Sequence, residues 1–462
     1  MTVSKNKTVI LNIVSTIVLQ GLAFISGPVF SSALGTANYG VAAVYMTWVQ
    51  VASAVFSLQT AGGVGVSRVY FPMEEQDKYQ SGVLSLASIT YVLFSALTMI
   101  VVLILQRWIP ISAPMVIVGL LQGWGLCVVN FYNEKFTYEF KADKNLILSV
   151  TVAVLTLALS VALVYLFPSS NNYWGKMIGD SSVYFIIGLV LFIYIVSRGK
   201  TIYNKEYWKF ALRIGIPTIF HVLAHLILNQ SDRVMLRSMI SDSAAGIYAL
   251  ACTFGAVLSA IWVALNNSWV PFYYEFTKTD NTQEIKKHAS NYMELFTVIT
   301  VGFIFLSREV FHIYANKDFW GGADLIPIFS ISYYMVFLYS FPVNFEFYHK
   351  KNKMIAVGTV SAAIFNIILN YLFINWFGLF GAVVATAMAN GLLFVFHFII
   401  ANKAKEGKFP FRLSFFLPGP AAVFLCVLIN WLTRDYWMIR WGIGAILGVY
   451  ILVKLIRRRE II

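Results

Sequence analysis

The chain has 462 residues, of which 59% are hydrophobic and only 12% are charged, so its composition excludes an ordinary water-soluble domain. A formal net charge of +13 could indicate a nucleic-acid partner, but such proteins gather their cations on one basic face. Here the cations are spread over many short loops, so we expect a membrane protein that does not bind nucleic acid.

Long apolar segments follow one another along the whole chain. A bilayer-crossing helix needs about 20 mainly apolar residues, and fourteen segments reach or approach that length. We therefore predict an all-α integral membrane protein with about fourteen spans, and twelve as the alternative count. The first segment is too long for the apolar core of a signal peptide and no small-residue cleavage site ends it, so we expect it to be retained. The predicted spans are residues 8–34, 40–67, 82–106, 111–133, 146–167, 177–197, 214–236, 245–271, 289–314, 325–348, 354–376, 378–400, 414–432 and 437–456.

Lysine and arginine are concentrated in every second connection between these spans. With the predicted boundaries, 26 of the 34 fall on one side, and cytoplasmic loops carry such an excess. The pattern predicts that both ends of the chain are cytoplasmic. No connection is long enough for a separate soluble domain, so any function must be built within the helices.

Glycine and proline interrupt several of the predicted spans. Gly27 and Pro28 lie in the first span, residues 61–65 contain three glycines in the second, and Pro217 lies early in the seventh. Discontinuous helices commonly line transport sites, although both residue types are frequent in membrane helices generally.

The seventh span is the richest in polar side chains. His221, His225, Asn229 and Asp232 lie within about 80° of one another around a helix and therefore share one stripe. One interpretation is a polar cavity wall that contacts sugar hydroxyls or a diphosphate, and the other is hydrogen bonding between helices. A metal site at the two histidines is disfavoured because no third ligand has recognisable spacing.

Charged residues inside or at the ends of spans are the other candidates. Arg233 and Arg308 could bind a diphosphate through their planar guanidinium groups, or extend to the lipid headgroups. Arg68 could make the first contact with a cytoplasmic diphosphate, or serve as an ordinary anchor. Asp180 could pair with Lys176 or act as a coupling carboxylate.

Four further residues are weak candidates for a functional role or are expected to be structural. Glu309 follows Arg308 and is a weak candidate for coupling. Cys127, Cys252 and Cys426 lie in apolar runs without metal-ligand spacing, so we expect them to be packing residues. We expect no metal and no cofactor.

The two halves of the chain show a weak internal similarity. Residues 40–58 can be aligned with residues 246–265, and each segment opens the second span of a possible six-span repeat. Six spans per repeat preserve orientation, which predicts a parallel repeat about the membrane normal. The predicted division is residues 1–200, residues 201–402, and two additional spans in residues 403–462.

Several short stretches resemble bacterial polysaccharide transporters. The segment from Pro217 to Asp232-Arg233, the stretch AGIYA at residues 245–249 and the stretch WVPFY at residues 269–273 resemble the start of the second lobe of that family. Gly35 and Tyr39-Gly40 resemble the matching start of the first lobe. The family is the Wzx-type branch, which includes O-antigen and capsule repeat-unit flippases, of the multidrug/oligosaccharidyl-lipid/polysaccharide (MOP) flippase superfamily.

The resemblance implies two six-helix lobes around a central cavity, with two further helices after them. It also implies translocation of undecaprenyl-diphosphate-linked oligosaccharides across the bacterial inner membrane, with membrane lipids, a polymerase and a chain-length regulator as possible partners. A multidrug antiporter is the alternative, but the first two spans lack an acidic residue. A lipid II flippase is a further alternative, but the first span lacks arginine. We do not expect an enzyme, because paired catalytic groups in a substantial loop are missing.

Overall fold

The structure, a computed structural model, describes residues 5–105, 112–404 and 408–457. The predicted spans 82–106 and 111–133 therefore each have one end outside the described residues. All regular secondary structure in the described residues is helical. The helices are α1 (Lys5–Phe56), α2 (Gly63–Tyr70), α3 (Gln76–Leu105), α4 (Ala113–Tyr138), α5 (Ala142–Val164), α6 (Tyr173–Gly199), α7 (Lys205–Met239), α8 (Asp242–Gly255), α9 (Val257–Lys278), α10 (Thr282–Tyr314), α11 (Ile326–Tyr348), α12 (Asn352–Phe377), α13 (Leu379–Asn402), α14 (Leu413–Phe416), α15 (Pro418–Leu432) and α16 (Trp437–Arg457).

Each of the fourteen predicted spans falls on one or two of these helices. Twelve stretches of the described residues are long and apolar enough to cross a membrane. The first of them, Val18–Phe56, covers part of each of the first two predicted spans, and α16 covers the fourteenth. The prediction of an all-helical membrane protein is confirmed.

Gly35 separates the first two predicted spans. Its backbone has φ 68° and ψ 175°, while the residues on either side are helical. Glycine adopts positive φ readily because it lacks a Cβ atom. Gly35 alone therefore interrupts the helix between the first two predicted spans, where the sequence indicates a short link.

The break between α1 and α2 lies at Leu58 and Gln59, which have positive φ, just before the glycines of residues 61–65 and not at a proline. Helix α1 ends at Phe56, and α2 begins at Gly63 after a short 3₁₀ turn. In contrast, α1 continues through Pro28 and α7 continues through Pro217, so these prolines do not divide their helices. A membrane helix tolerates proline when local groups satisfy the freed backbone.

The chain forms two compact units, one up to Gln230 and one from Ser231 onward. In the first, α4 and α6 approach so closely that a Cβ atom built on Gly188 would lie 2.8 Å from the Cα atom of Gly125. Small residues at such crossings let membrane helices pack through their backbones. The predicted division at residues 200 and 402 stays a prediction.

The second unit has an aromatic core. Helices α9, α10, α11 and the region around α14 contribute its rings, which are buried against one another. Phe337 and Phe296 have ring centroids 4.4 Å apart, and Phe341 packs edge-on against Phe411. This core holds in place the helices that carry the polar residues described below. Its largest members include Trp269, Tyr273, Tyr292, Phe296, Tyr334, Phe337, Phe341, Phe345, Phe411 and Phe416.

Large apolar side chains also cover the outside of the helices. On α3, for example, Val92, Leu97 and Ile104 are 62%, 56% and 69% exposed. Such a continuous apolar surface is unfavourable in water and suits a lipid environment.

A methyl group at the crossing of α4 and α6 should destabilise the protein. We expect Gly188→Ala to lower the free energy of unfolding by about 1–3 kcal/mol, because the added Cβ atom overlaps the backbone at Gly125. Thermal melting of the purified protein in detergent measures the effect. Gly302→Ala is the matched control, since a Cβ atom at that helical glycine meets nothing within 4 Å. Equal melting temperatures for the two variants would contradict the close crossing.

Candidate functional site

The polar side chains of α7 fall into an exposed group and a buried residue. His221, His225 and Asn229 are exposed, and the Asn229 amide donates to the His225 carbonyl at 2.7 Å. Asp232 is only 2% exposed. The predicted stripe therefore combines three side chains that are open to their surroundings with a carboxylate that lies inside the protein.

Asp232 receives hydrogen bonds from three other helices. The Asn370 amide of α12 donates to Oδ1 at 2.5 Å, and the Thr386 hydroxyl of α13 donates to Oδ2 at 2.7 Å. The Tyr248 hydroxyl of α8 also donates to Oδ2. These bonds replace the hydrogen bonds to water that a carboxylate loses when it is buried.

Asn366 extends this arrangement into a network. Its Oδ1 atom accepts from the Asn370 amide at 3.0 Å and from the Ser231 hydroxyl at 3.1 Å. Its own amide donates to the Thr386 hydroxyl oxygen at 3.3 Å. We call this set the Asp232 cluster: Ser231, Asp232, Tyr248, Asn366, Asn370 and Thr386.

The partners of Asp232 are not evident from the sequence alone. Asn366 and Asn370 are one turn apart in an apolar helix, which is the pattern of two amides directed at one neighbour. That spacing was the available signal. It could not indicate which helix the two amides face.

Oxygen ligands for a cation are present in the Asp232 cluster. Among the described residues, no three His, Cys, Asp or Glu side chains are grouped to hold a metal ion. The cluster has one carboxylate together with amide and hydroxyl oxygens, which are ligands that hard cations prefer. Asn370 Oδ1 is buried without a hydrogen-bond partner. A flip of the Asn370 amide would direct this oxygen, in place of the NH₂ group, toward the centre of the cluster.

The arginines of α7 contact α8. Arg237 Nε lies 2.5 Å from Asp242 Oδ1 in a half-exposed ion pair. Arg233 is partly buried, and its Nη2 atom lies 3.7 Å from Cys252 Sγ. Both guanidinium groups are thus directed at protein neighbours in this conformation.

Arg308 and Glu309 are also engaged with protein partners. Arg308 forms an ion pair with Asp324. Glu309 pairs with Arg440, a side chain of α16 that is only 1% exposed, and accepts from the Trp441 indole at 3.3 Å. The buried charge of Arg440 therefore has its counterion on α10.

Asp180 forms the ion pair that its spacing predicts. Lys176 Nζ lies 2.9 Å from Asp180 Oδ2, and the Ser160 hydroxyl donates to Oδ1 at 2.5 Å. Lys176 Nζ also lies 4.1 Å from the centre of the Phe30 ring. These contacts connect α1, α5 and α6 within the first unit.

Arg68 stands apart from the other candidates because no carboxylate among the described residues pairs with it. It lies in the last turn of α2 and is partly exposed, with Nη2 3.7 Å from Met73 Sδ. Gly65 of the same helix packs against the Tyr138 ring at the end of α4. This packing fixes the position of the helix that presents Arg68.

The lysines near the end of α4 are already partly neutralised. Glu139 lies 3.1 Å from Lys135 Nζ and 2.5 Å from Lys141 Nζ. Burial raises the pKa of Glu139, but hydrogen bonds and charges from Lys141 and Lys135 outweigh it, so the net pKa is below its usual value. A negative charge therefore remains beside these lysines at neutral pH, unlike at Arg68.

Comparison with known proteins identifies related sequences. The model of the polysaccharide biosynthesis protein family matches residues 6–277. The Lsg locus protein 1 of Haemophilus influenzae is 25% identical over 361 residues, which cover 74% of this chain and 84% of that protein. An uncharacterized membrane protein of the same organism is 25% identical over 206 residues, which cover 44% of this chain and 47% of that protein.

Solved structures share the fold. The lipid II flippase MurJ in an inward closed conformation has a TM-score of 0.74 at 15% identity, over 98% of this chain and 99% of that chain. An inward-facing MATE family transporter of the MOP superfamily has a TM-score of 0.55 at 13% identity, over 84% and 97%. The chain is a multi-pass membrane protein with the fold of MOP-superfamily transporters.

Removing the carboxylate of the Asp232 cluster should destabilise the second unit. In Asp232→Ala the buried donors of Tyr248, Asn370 and Thr386 lose their acceptor, so we expect a loss of about 3 kcal/mol or more in the free energy of unfolding. Thermal melting of the purified protein measures it. The control Asp242→Ala removes a half-exposed ion pair and should cost less than about 1 kcal/mol. Equal losses in the two variants would refute the role of the network.

Proposed function

Because the chain belongs to the polysaccharide biosynthesis protein family, we propose that it flips undecaprenyl-diphosphate-linked oligosaccharide repeat units across the bacterial inner membrane. The family match over residues 6–277 carries this proposal, and the fold shared with a lipid II flippase supports a lipid-linked substrate. The product of the process is O-antigen, capsule or exopolysaccharide. Transport occurs by alternating access, and no covalent bond is made or broken.

Arg68 is the proposed first contact for the diphosphate. Its guanidinium group can donate several charge-assisted hydrogen bonds to phosphate oxygens. The group is partly exposed and has no carboxylate partner among the described residues, so no existing ion pair must be broken before a phosphate binds. Arg68 directly follows the second predicted span, residues 40–67, at the end that faces the cytoplasm in the proposed topology.

The exposed residues of α7 are the proposed contacts for the sugars. His221, His225 and Asn229 offer hydrogen-bond donors and acceptors, which suit hydroxyl groups. Arg233 and Asp232 are more buried, so substrate would reach them only after the helices rearrange. In this conformation Asp232 has a supporting role, because its oxygens already accept three hydrogen bonds.

The remaining candidates are better explained as structural pairs. Asp180, Arg308 and Glu309 each have a charged partner. A coupling group must exchange its partner during transport, and each of these pairs is held by a neighbour in the same unit. We therefore assign them to helix packing rather than to coupling.

The proposed orientation has both ends of the chain in the cytoplasm. The uneven distribution of lysine and arginine supports it. In this orientation the substrate is collected where sugar transferases assemble it and is released where a polymerase can join the units. A polymerase and a chain-length regulator are the proposed partners.

Two other transport functions fit the fold. MATE transporters share it, but the first two predicted spans of this chain carry no acidic residue to hold a cationic drug or a coupling ion. Lipid II flipping is the other, but the first predicted span contains no arginine for the diphosphate. Both observations favour the repeat-unit substrate.

Deletion of the gene tests the function. We expect lipid-linked repeat units to accumulate in the cytoplasmic leaflet and surface polysaccharide to fall, because assembly continues while translocation stops. Labelling of the two leaflets with a sugar-specific, membrane-impermeant reagent measures the distribution. A plasmid copy of the gene should restore export. Normal surface polysaccharide in a deletion strain without another flippase would disprove the proposal.

Arg68→Ala tests the diphosphate contact. Loss of hydrogen bonds to a charged group costs about 1.5–3 kcal/mol, which corresponds to binding weaker by roughly tenfold or more. We expect export to fall at unchanged protein level, and Arg68→Lys to restore part of it because the charge remains. Surface polysaccharide per amount of membrane protein is the measurement.

The matched control is Arg198→Ala, which removes an exposed arginine at the end of α6 whose nearest acid, Asp77, lies 3.8 Å away. It should export normally. Equal export by the two alanine variants would show that Arg68 is only a topological anchor.

A further inference from the structure

Helices α11 and α13 share a buried acid–base pair. Glu346 Oε1 lies 2.9 Å from His397 Nδ1, and the two side chains are 0% and 1% exposed. Neither Glu346 Oε2 nor His397 Nε2 has a hydrogen-bond partner among the described residues. The pair is enclosed by protein, and each member keeps one unsatisfied polar atom.

Charged groups are scarce around this pair. Glu346 is the only charged side chain of α11, His397 is the only titratable one of α13, and Lys353 is the only charged one of α12 and is exposed. The ring of Tyr339 lies 6.2 Å from the imidazole, centre to centre. No buried counter-charge on these three helices therefore compensates the pair.

The other elements that pack against α11 or α13 do not compensate the pair either. In the part of the chain that the structure describes, none of their charged or titratable groups forms a hydrogen bond or ion pair with Glu346 or His397. These groups are Asp242, Tyr248 and Cys252 of α8; Tyr273, Tyr274, Glu275 and Lys278 of α9; Glu284, Lys286, Lys287, His288, Tyr292, Glu294, Arg308, Glu309, His312 and Tyr314 of α10; Lys317, Asp318 and Asp324 of the 3₁₀ segment; Cys426 of α15; Tyr371 of α12; and Tyr333, Tyr334 and Tyr348 of α11 itself.

The number of bound protons decides whether the pair is charged. With an ionised carboxylate and a neutral imidazole, the pair has a net charge of −1 and Oε2 has no donor. Burial of such a charge is strongly unfavourable. One additional proton makes the pair neutral, either as an ion pair or as a carboxylic acid beside an imidazole. With one bound proton, the enclosed pair has no net charge to bury.

Helix α12 closes the site on the side of His397 Nε2. A Cβ atom built on Gly358 would lie 2.6 Å from this nitrogen and 2.9 Å from Cδ1 of Phe396. Only glycine lets the helix approach so closely. Water can reach Nε2 from this side only if α12 moves away from α13.

The same helix belongs to the Asp232 cluster. Asn366 and Asn370 follow Gly358 by 8 and 12 residues, which is about 12 Å and 18 Å along the helix at 1.5 Å per residue. A displacement of α12 that opens the imidazole would therefore also act on the hydrogen bonds to Asp232.

We propose that Glu346 and His397 form a proton-binding site, in which one proton is held while α12 packs against His397 and is exchanged with water when α12 moves away. The ligand is a proton, and the site is independent of the identity of the transported substrate. Proton exchange is thereby linked to the position of α12, which is either packed against His397 or displaced from it.

The pH dependence of thermal stability tests proton binding. A folded pair that holds one proton more than the unfolded chain makes stability fall as the pH rises. For one proton, the unfolding equilibrium constant should rise tenfold per pH unit. Melting temperatures of the purified protein between pH 6.5 and 9 should decrease accordingly.

The double variant Glu346→Gln/His397→Asn cannot titrate and should lose this decrease. The control Glu284→Gln/His288→Asn removes a partly exposed acid–histidine pair with a separation of 3.2 Å and should retain the decrease. An unchanged slope in the first double variant would overturn the proposal. If that variant does not fold, a wild-type melting temperature that is flat from pH 6.5 to 9 would overturn it instead.

Hydrogen–deuterium exchange tests the closure by α12. Gly358→Ala should speed amide exchange in α12 and weaken the dependence of melting temperature on pH, because the methyl group displaces the helix from the imidazole. Gly391→Ala is the control, since its Cβ atom would meet only Met335 Sδ, at 3.9 Å. Equal exchange in both variants would refute the closure. No lipid-linked sugar is needed, so failure of this test leaves the proposed function untouched.

Discussion

The hydrocarbon of a bilayer supplies no hydrogen-bond donors, so an ionised group within a span must find its partners on neighbouring helices. The donors to Asp232 lie on α8, α12 and α13, so these three helices are held to one carboxylate of α7. Helix α12 has a further contact of this kind, because Gly358 rests on the imidazole of His397. The positions of the apolar helices thus depend on a small number of polar side chains.

The helical architecture could be predicted because span length and loop charge are local properties of the sequence. The predicted span 177–197, for instance, lies within α6, which runs from Tyr173 to Gly199. The break at Gly35 also follows from a local property, since its φ of 68° suits glycine. The continuity of α1 through Pro28 depends on whether neighbouring groups satisfy the backbone, and the residue pattern does not contain that information.

The polar networks were harder to predict from the sequence, because their members are distant from one another along the chain. Glu309 follows Arg308 directly, yet their partners Asp324 and Arg440 are 16 and 131 residues away. Glu346 offered a usable signal as the sole charged residue of its span, which implies a partner on an adjacent helix. Its pairing with His397, 51 residues later, required the contact between α11 and α13.

The long separation within the Asp232 cluster also has a consequence for biosynthesis. Thr386 is translated 154 residues after Asp232, which takes roughly 8–30 s at ribosomal rates of about 5–20 residues per second. During that interval α7 already exists, whereas two of the three helices that solvate its carboxylate do not. The nascent chain must therefore keep Asp232 near water or within the insertion machinery until α13 emerges, and chains truncated before α13 should be substrates for membrane quality-control proteases.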